Sequence, residues 1–333
     1  MSDSSTPVRY DLLCVGNAIV DMLASVTVDK VTELGAVPGS MTLIDTPTME
    51  NLQKTITVEH VAGGGSAANT AVVAARMGIR SGYLGKVAKD QAGDDFTDDL
   101  KAQKIAFPSR PLEASHGSDV IPTARCIVLV TPDGQRTMFT YLGACVEFTP
   151  DDVQEEIVEQ SAVTYLEGYL FDRPRAQEAF HRAAELAHKA GRKTALTLSD
   201  TFCVQRHRDA FRQLVAESID ILFANEAEIQ ALYETERLDD ALVQAARDTA
   251  LVVVTRGAAG AVVQSGSERF DVLTAPVKVV DTTGAGDAFA AGFLAGFARH
   301  KSLKECAELG NRAAGSVITR LGARPSEDFD ITV

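Results

Sequence analysis

Val277-Lys278-Val279-Val280-Asp281-Thr282-Thr283-Gly284-Ala285-Gly286-Asp287-Ala288-Phe289 is the stretch on which the reading of this chain turns. Its valines are β-branched and predict a strand, the glycines predict a turn, and Phe289, Phe293 and Phe297 repeat every fourth residue as one packed helix face does. A strand that turns on glycines into a helix is the building unit of a sheet covered by helices. The first helical turn has amides without intrahelical partners and carries the positive end of the helix dipole. The amides of Gly284, Ala285 and Gly286 are therefore expected to cradle charge developing on a transferred phosphoryl group. Asp287 sits beside them. An acid there often only balances the dipole. Next to glycines that admit a ligand close to the backbone, it can also orient a hydroxyl and accept its proton, which phosphoryl transfer to an alcohol requires.

Outward from this stretch, short β-rich runs alternate with amphipathic segments: Tyr10–Gly16, Ser81–Val87, Val163–Gly168, Lys193–Leu198, Ile219–Phe223 and Leu251–Thr255 are the expected strands. Between them, Pro174–Ala190 places Ala176, Ala179, Phe180, Ala183, Ala184, Leu186 and Ala187 on one helical face. The expected fold is α/β, a mostly parallel, doubly wound sheet flanked by helices. Two stretches break the rhythm, 21–58 and 119–145. In the second, two β-rich runs flank the turn signal Pro132-Asp133-Gly134. They are expected to pair as a small β lid beside a main body made of 1–20, 59–118 and 146–333. Thr149-Pro150-Asp151-Asp152 then supplies an N-cap, a proline and early acids for a following helix.

The chain has 333 residues, is 45% hydrophobic and carries a net charge of −14. That charge repels polyanions, so neither nucleic acid nor an anionic membrane is an expected partner. The densest basic run, Arg206-His207-Arg208, reads as a solvated helix face. Five scattered cysteines without zinc-ligand spacing read as buried thiols. No signal-like leader opens the sequence, and no apolar run reaches the roughly 20 residues that span a bilayer, so a cytoplasmic protein is expected.

Two further clusters carry chemistry. Gly63-Gly64-Gly65-Ser66-Ala67-Ala68-Asn69 precedes a helix reaching about Met77. It formally matches the dinucleotide fingerprint GxGxxA, but lies far from the first strand, where that fingerprint belongs. Asn69 can hold ligand hydroxyls or simply face solvent. Asn225-Glu226-Ala227-Glu228 ends a strand, the edge where open α/β sheets bind ligands. Asn225 and Glu228 can form a capping box, order water around magnesium, or do both. No GxxxxGK[ST], HExxH or GxSxG is present, so a P-loop, a zincin site and a hydrolase elbow are not expected.

Together these motifs resemble the PfkB carbohydrate kinase family, with its ribokinase-like fold, over residues from Gly16 to about Ser326. The carriers are 281–289, the glycine signature Gly63 to Asn69, and the NxxE pair Asn225 and Glu228. The resemblance implies an ATP-dependent, magnesium-requiring kinase with Asp287 as base and Gly284, Ala285 and Gly286 as anion hole. It implies that Asn225 and Glu228 serve magnesium and phosphates, Glu228 through water. Thr255, Gly257 and Gly260 would border the nucleotide, and Asn311 its adenine. Asp281, Thr283, Gly322 and Ser326 are similar to a loop that surrounds a monovalent cation, which implies possible potassium activation. Residues 15–21 and 136–144 are most similar to the adenosine kinase branch. Asn17, Asp21, Gly64, Gly65, Ser66 and Asn69 would then hold a nucleoside, adenosine first, and Arg136 would reach the phosphoryl group on lid closure. The chain lacks tryptophan, so base stacking falls to Phe or Tyr, with Phe171 a candidate. The expected partner is a small molecule, and the chain a monomer or homodimer. A kinase for a free sugar such as ribose or fructose is the alternative reading; an NAD-binding oxidoreductase is a more distant one.

Overall fold

The computed structural model describes residues 7–113 and 121–333; the expected boundary at 118–119 lies outside them. The first part of the chain forms β1 (Tyr10–Val15), β2 (Ile19–Ser25), α1 (Val28–Glu33), β3 (Met41–Leu43), α2 (Thr46–Thr55), β4 (His60–Gly64), α3 (Ser66–Arg76), β5 (Ser81–Leu84) and α4 (Gln91–Ala102). There follow β6 (Ala124–Val130), β7 (Arg136–Tyr141), α5 (Glu155–Glu159), β8 (Ser161–Glu167), α6 (Pro174–Lys189), β9 (Lys193–Thr197), α7 (Thr201–Ser218) and β10 (Ile221–Asn225). The last part holds α8 (Glu226–Tyr233), α9 (Leu238–Asp248), β11 (Leu251–Thr255), β12 (Ala261–Ser265), β13 (Glu268–Val272), α10 (Ala285–Ala298) and α11 (Leu303–Val317).

The main sheet runs β13-β12-β11-β10-β9-β8-β1-β5, parallel from β11 to β5 and closed at the other end by the antiparallel β12 and β13. Both faces are covered, as parallel strands require. Along β1, Leu12 and Cys14 enter the core beneath α3, α10 and α11, while Leu13 and Val15 enter the opposite core under α6, α7 and α9. Of the expected Phe face on α10, Phe289 and Phe293 are buried.

The small sheet runs β3-β7-β6-β2-β4. One face packs Ala24, Ile127, Leu129 and Phe139 against Val31, Met49 and Leu52 of α1 and α2. The other turns Asp21 and Arg136 toward the main body. The sheet also draws in β4, which lies in the range assigned from sequence to the main body. The chain leaves the main sheet through Gly16–Ala18 and returns through Gly65, and these crossings touch: a Cβ on Gly65 would lie 2.2 Å from Asn17 O.

Two local expectations need correction. Val277–Val280 is not a strand. The run pairs with neither sheet, whose order ends at β13 on this side; its valines stand exposed and Val280 N donates to Ile318 O (2.8 Å). After Thr149 the chain makes only a 3₁₀ turn, Pro150–Asp152, closed by the Thr149–Asp152 capping box, before Val153 returns to an extended conformation.

Candidate active site

Two helix N-termini meet above the carboxyl edge of the main sheet. Each follows a glycine with positive φ, Gly65 at 92° before α3 and Gly284 at 76° before α10. From α10, Asp287 projects onto α3, where Ser66 Oγ donates to its Oδ1 (2.6 Å) and Asn69 Nδ2 to its Oδ2 (3.3 Å). Burial pushes the Asp287 carboxyl up to about 6, against the two hydrogen bonds that favour its charge. A carboxyl with that affinity is ionised near neutrality yet can accept a proton.

The anion cradle is smaller than expected. Ala285 N–H turns back onto Thr282 O (3.1 Å), so of the three amides expected to cradle an anion only those of Gly284 and Gly286 are left to point outward. A Cβ on Gly284 would strike Ala323, 2.6 Å from its carbonyl oxygen, whereas one on Gly286 would meet nothing within 4 Å. Gly286 therefore faces open space in which a ligand can approach the backbone.

The crossing beside Asn17 rests on a residue the sequence reading missed. Glu167 ends β8 at 1% exposure, accepting from Asn17 N (3.2 Å), Asn17 Nδ2 (2.8 Å) and Ala67 N (2.7 Å). It ties the first crossing between the sheets to the start of α3. Burial pushes its carboxyl up to about 7, the three donors oppose this, and the Asp287 charge adds to the rise. A lone Glu at a strand end carries no motif, so only its three donors reveal it. Asp21 lies against Gly64, where a Cβ would come within 2.5 Å of its carboxyl. Burial pushes Asp21 up to about 6, offset by the fields of Arg136 and Arg324.

Arg136 does not aim at Asp287 in this conformation. It pairs with Asp281 (3.1 Å), with both side chains nearly buried. Asp281 also accepts from Thr283 N (2.9 Å), Thr283 Oγ1 (2.6 Å) and Gly322 N (2.9 Å), and these partners hold its carboxyl below the usual range despite burial. Asp281, Thr283 and Gly322 thus come together. Ser326 is engaged elsewhere, its hydroxyl on Asp328 and its carbonyl on Arg76. With a guanidinium already beside Asp281, the group does not fit a second cation in this conformation.

On the nucleotide side, Asn225 and Glu228 form a complete capping box: Glu228 N donates to Asn225 Oδ1 (2.9 Å), and Asn225 N and Nδ2 donate to Glu228 at 2.9 and 2.6 Å. Burial pushes Glu228 up to about 7, and the charge of Asp200, the N-cap of α7, adds to it. Partial burial of the Tyr169 phenol, on a residue that is 40% exposed, and the fields of Asp200, Asp287, Glu167 and Glu228 push its pKa up. Such a concentration of negative charge fits a hydrated magnesium ion carried in with phosphates. Thr255 ends β11, and the turn beyond it brings Gly257 and Gly260 to positive φ; a Cβ on Gly260 would lie 2.1 Å from Val272 O. Asn311 Nδ2 donates to Val272 O (3.1 Å) and Leu273 O (3.3 Å), fastening α11 to β13. Leu273, which follows β13, and Val277 and Val279 are exposed apolar side chains.

Phe171 cannot stack on a substrate. It is fully buried in the opposite core, 4.4 Å from Phe211 in a stacked pair. The dinucleotide reading of Gly63–Ala68 also loses its geometry, since those glycines end β4, an antiparallel strand of the small sheet, rather than a parallel strand that crosses into a helix.

Fold and site together define a ribokinase-like phosphotransferase with an alcohol acceptor. The pfkB family of carbohydrate kinases matches residues 31–329, and the chain belongs to that family. Kinases of this family use ATP and Mg2+. The chain is similar to an adenosine kinase from Sinorhizobium meliloti, with 49% identity, a TM-score of 0.87 and 96% of each chain covered. It is also similar to a probable sugar kinase from Rhizobium etli, with 44% identity, the same TM-score and 96% of each chain covered. A cytidine kinase from Thermococcus kodakarensis is 31% identical over 81% of this chain and 91% of its own. Among the described residues no helix is long and apolar enough to cross a membrane.

Proposed function

We propose that the protein phosphorylates the 5′-hydroxyl of a nucleoside, adenosine first, at the expense of ATP. The observation that carries this reading is the half-buried Asp287 carboxylate, oriented by Ser66 and Asn69 and set beside the open backbone at Gly286. Asp287 takes the hydroxyl proton as that oxygen bonds to the γ-phosphorus; the bond to the β-phosphate oxygen breaks and ADP leaves. Gly284 and Gly286 N–H groups receive the charge developing on the phosphoryl oxygens. Magnesium, when bound, neutralises phosphate charge; Glu228 and Asn225 would hold its waters.

Asp21 and Asn69 would bind the ribose hydroxyls. Preference for a nucleoside over a bare sugar is supported by Met41 and Leu43, exposed on β3 in register with Met138 and Thr140 and so on the Asp21 side of the small sheet. They offer apolar surface that a base can cover and a free sugar cannot. Closure of the small sheet would exclude water and swing Arg136 from Asp281 to the phosphoryl group. That swing would also free Asp281 for a monovalent cation. The test is ATP consumption against a panel of nucleosides and sugars, with and without potassium. Adenosine is expected to lead. Turnover confined to ribose or fructose would replace the nucleoside, and tight NAD binding without ATP consumption would overturn the kinase reading.

A further inference from the structure

Asn69 reaches Asp287 through its amide nitrogen, which requires that its amide oxygen face elsewhere. On that side lies Arg324, from the loop after α11, whose Nε donates to Asn69 Oδ1 (3.0 Å) and whose Nη1 donates to Asp99 Oδ2 on α4 (2.6 Å). A guanidinium only donates and an ionised carboxylate only accepts. Between Arg324 and Asp287, the Asn69 amide therefore has one permitted orientation. The fork is built in: Gly63 is the floor beneath it, and a Cβ there would come 2.3 Å from Asp99 Oδ2 and 2.9 Å from Arg324 Nη2.

We propose that Arg324 is a positioning residue for the reaction, locking the Asn69 amide so that its nitrogen donates to Asp287 and holds that base in its ionised, oriented form. The inference deepens the reading of Asp287 as base and rests on it for its kinetic consequence. The relay runs Asp99, Arg324, Asn69, Asp287 and links four segments, α4, the loop after α11, α3 and α10. It also explains why a planar fork is needed: Arg can hold the carboxylate and the amide at once, whereas Lys has a single point of charge. In Arg324→Lys the ammonium stays with Asp99, the ion pair survives, and Asn69 is released to rotate.

The experiment compares wild type, Arg324→Lys and Arg324→Met by the 13C-carboxyl titration of Asp287, its signal assigned by its disappearance in Asp287→Asn. This readout needs no substrate, so its failure is distinct from failure of the kinase reading. The other ionisable groups around Asp287 are Cys14 of β1, Tyr165 and Glu167 of β8, and Tyr169 beyond β8; Asp21 also feels Arg324. None is altered by the lysine, and the charge at 324 is retained. Loss of one donor to the carboxylate raises its titration midpoint. In Arg324→Lys the midpoint is expected to rise by about half a pH unit or more, with the melting temperature close to wild type. In the enzyme assay, kcat is expected to fall about tenfold while KM for ATP stays, as a base less well oriented in the transition state predicts. An unmoved midpoint in Arg324→Lys overturns the proposal and reduces Arg324 to a structural tie. If Arg324→Met does not fold, the lysine variant alone decides.

Discussion

The two glycine-led helix starts, 63–66 and 284–287, look alike in sequence and are used in opposite ways. In the first, every glycine is consumed by the protein itself. Gly63 lies under Arg324 and Asp99, Gly64 under Asp21, and Gly65 against the Asn17 carbonyl. In the second, Gly284 is consumed by Ala323 but Gly286 opens onto space. A glycine can thus serve packing or a ligand, and a motif does not say which. The first helix start is a support that delivers Ser66 and Asn69; the second delivers Asp287 beside open space, where the proposed reaction would take place.

The largest effect that would break this contrast lies at Asp287. Asp287→Asn is expected to lower kcat about a thousandfold, within the range for a general base, with acceptor binding little changed. Near-normal turnover would remove Asp287 from the chemistry. Because the folded-state pKa of about 6 exceeds the ordinary 3.8, stability from this group is fully present below 3.8 and is lost as pH rises through 6. At pH 8 wild type bears the whole cost of a buried charge, so Asp287→Asn should melt no lower than wild type in calorimetry.

Substitutions at the two glycines should next separate stability from activity. Gly286→Val is expected to fold normally yet lose about a hundredfold in kcat/KM, because its side chain fills the open space through which a ligand reaches the backbone N–H groups, an effect of the size of losing an oxyanion-type donor. Gly65→Ala places a Cβ on a positive φ and against a carbonyl, which should cost about 1–3 kcal/mol in denaturant unfolding. If the two variants exchange phenotypes, the contrast fails. Glu167→Gln comes third: every donor around that carboxylate faces an acceptor, so an amide NH2 there leaves one contact donor to donor. A loss of about 1–3 kcal/mol and a raised acceptor KM are expected. The smallest effect concerns pH. The kcat/KM of wild type should fall below about pH 6 as Asp287 is protonated. Ser66→Ala, which removes one donor to the carboxylate, should move that limb upward; a limb that stays in place would show that Ser66 does not tune the base.

Much of the fold was legible because parallel strands buried on both faces leave dense apolar runs. Lys193–Thr197 and Leu251–Thr255 are strands nearly where the pattern put them. Val277–Val280 failed for the complementary reason: β-branched residues state a preference, but a strand needs a neighbour, and this run pairs with neither sheet. Phe171 failed because an aromatic near a strand end can point to either layer, and periodicity does not say which layer holds the ligand. Of the site, Asp287, Ser66 and Asn69 could be named from their motifs, and Arg324 falls within the cation-loop stretch between Gly322 and Ser326 with no role of its own read there, whereas Glu167 and Asp99 sit in stretches with no local signature.

By itself, then, the sequence determined the layers of this protein and the acid that stands at the head of α10, since both depend on patterns within a dozen neighbouring residues. Only the tertiary structure decided what faces that acid. Ser66 and Asn69 lie 221 and 218 residues away from it, and the Arg324 that orients Asn69 lies 255 residues from its partner. Contacts across such separations are fixed by how the sheets and helices pack, so no local pattern encodes them.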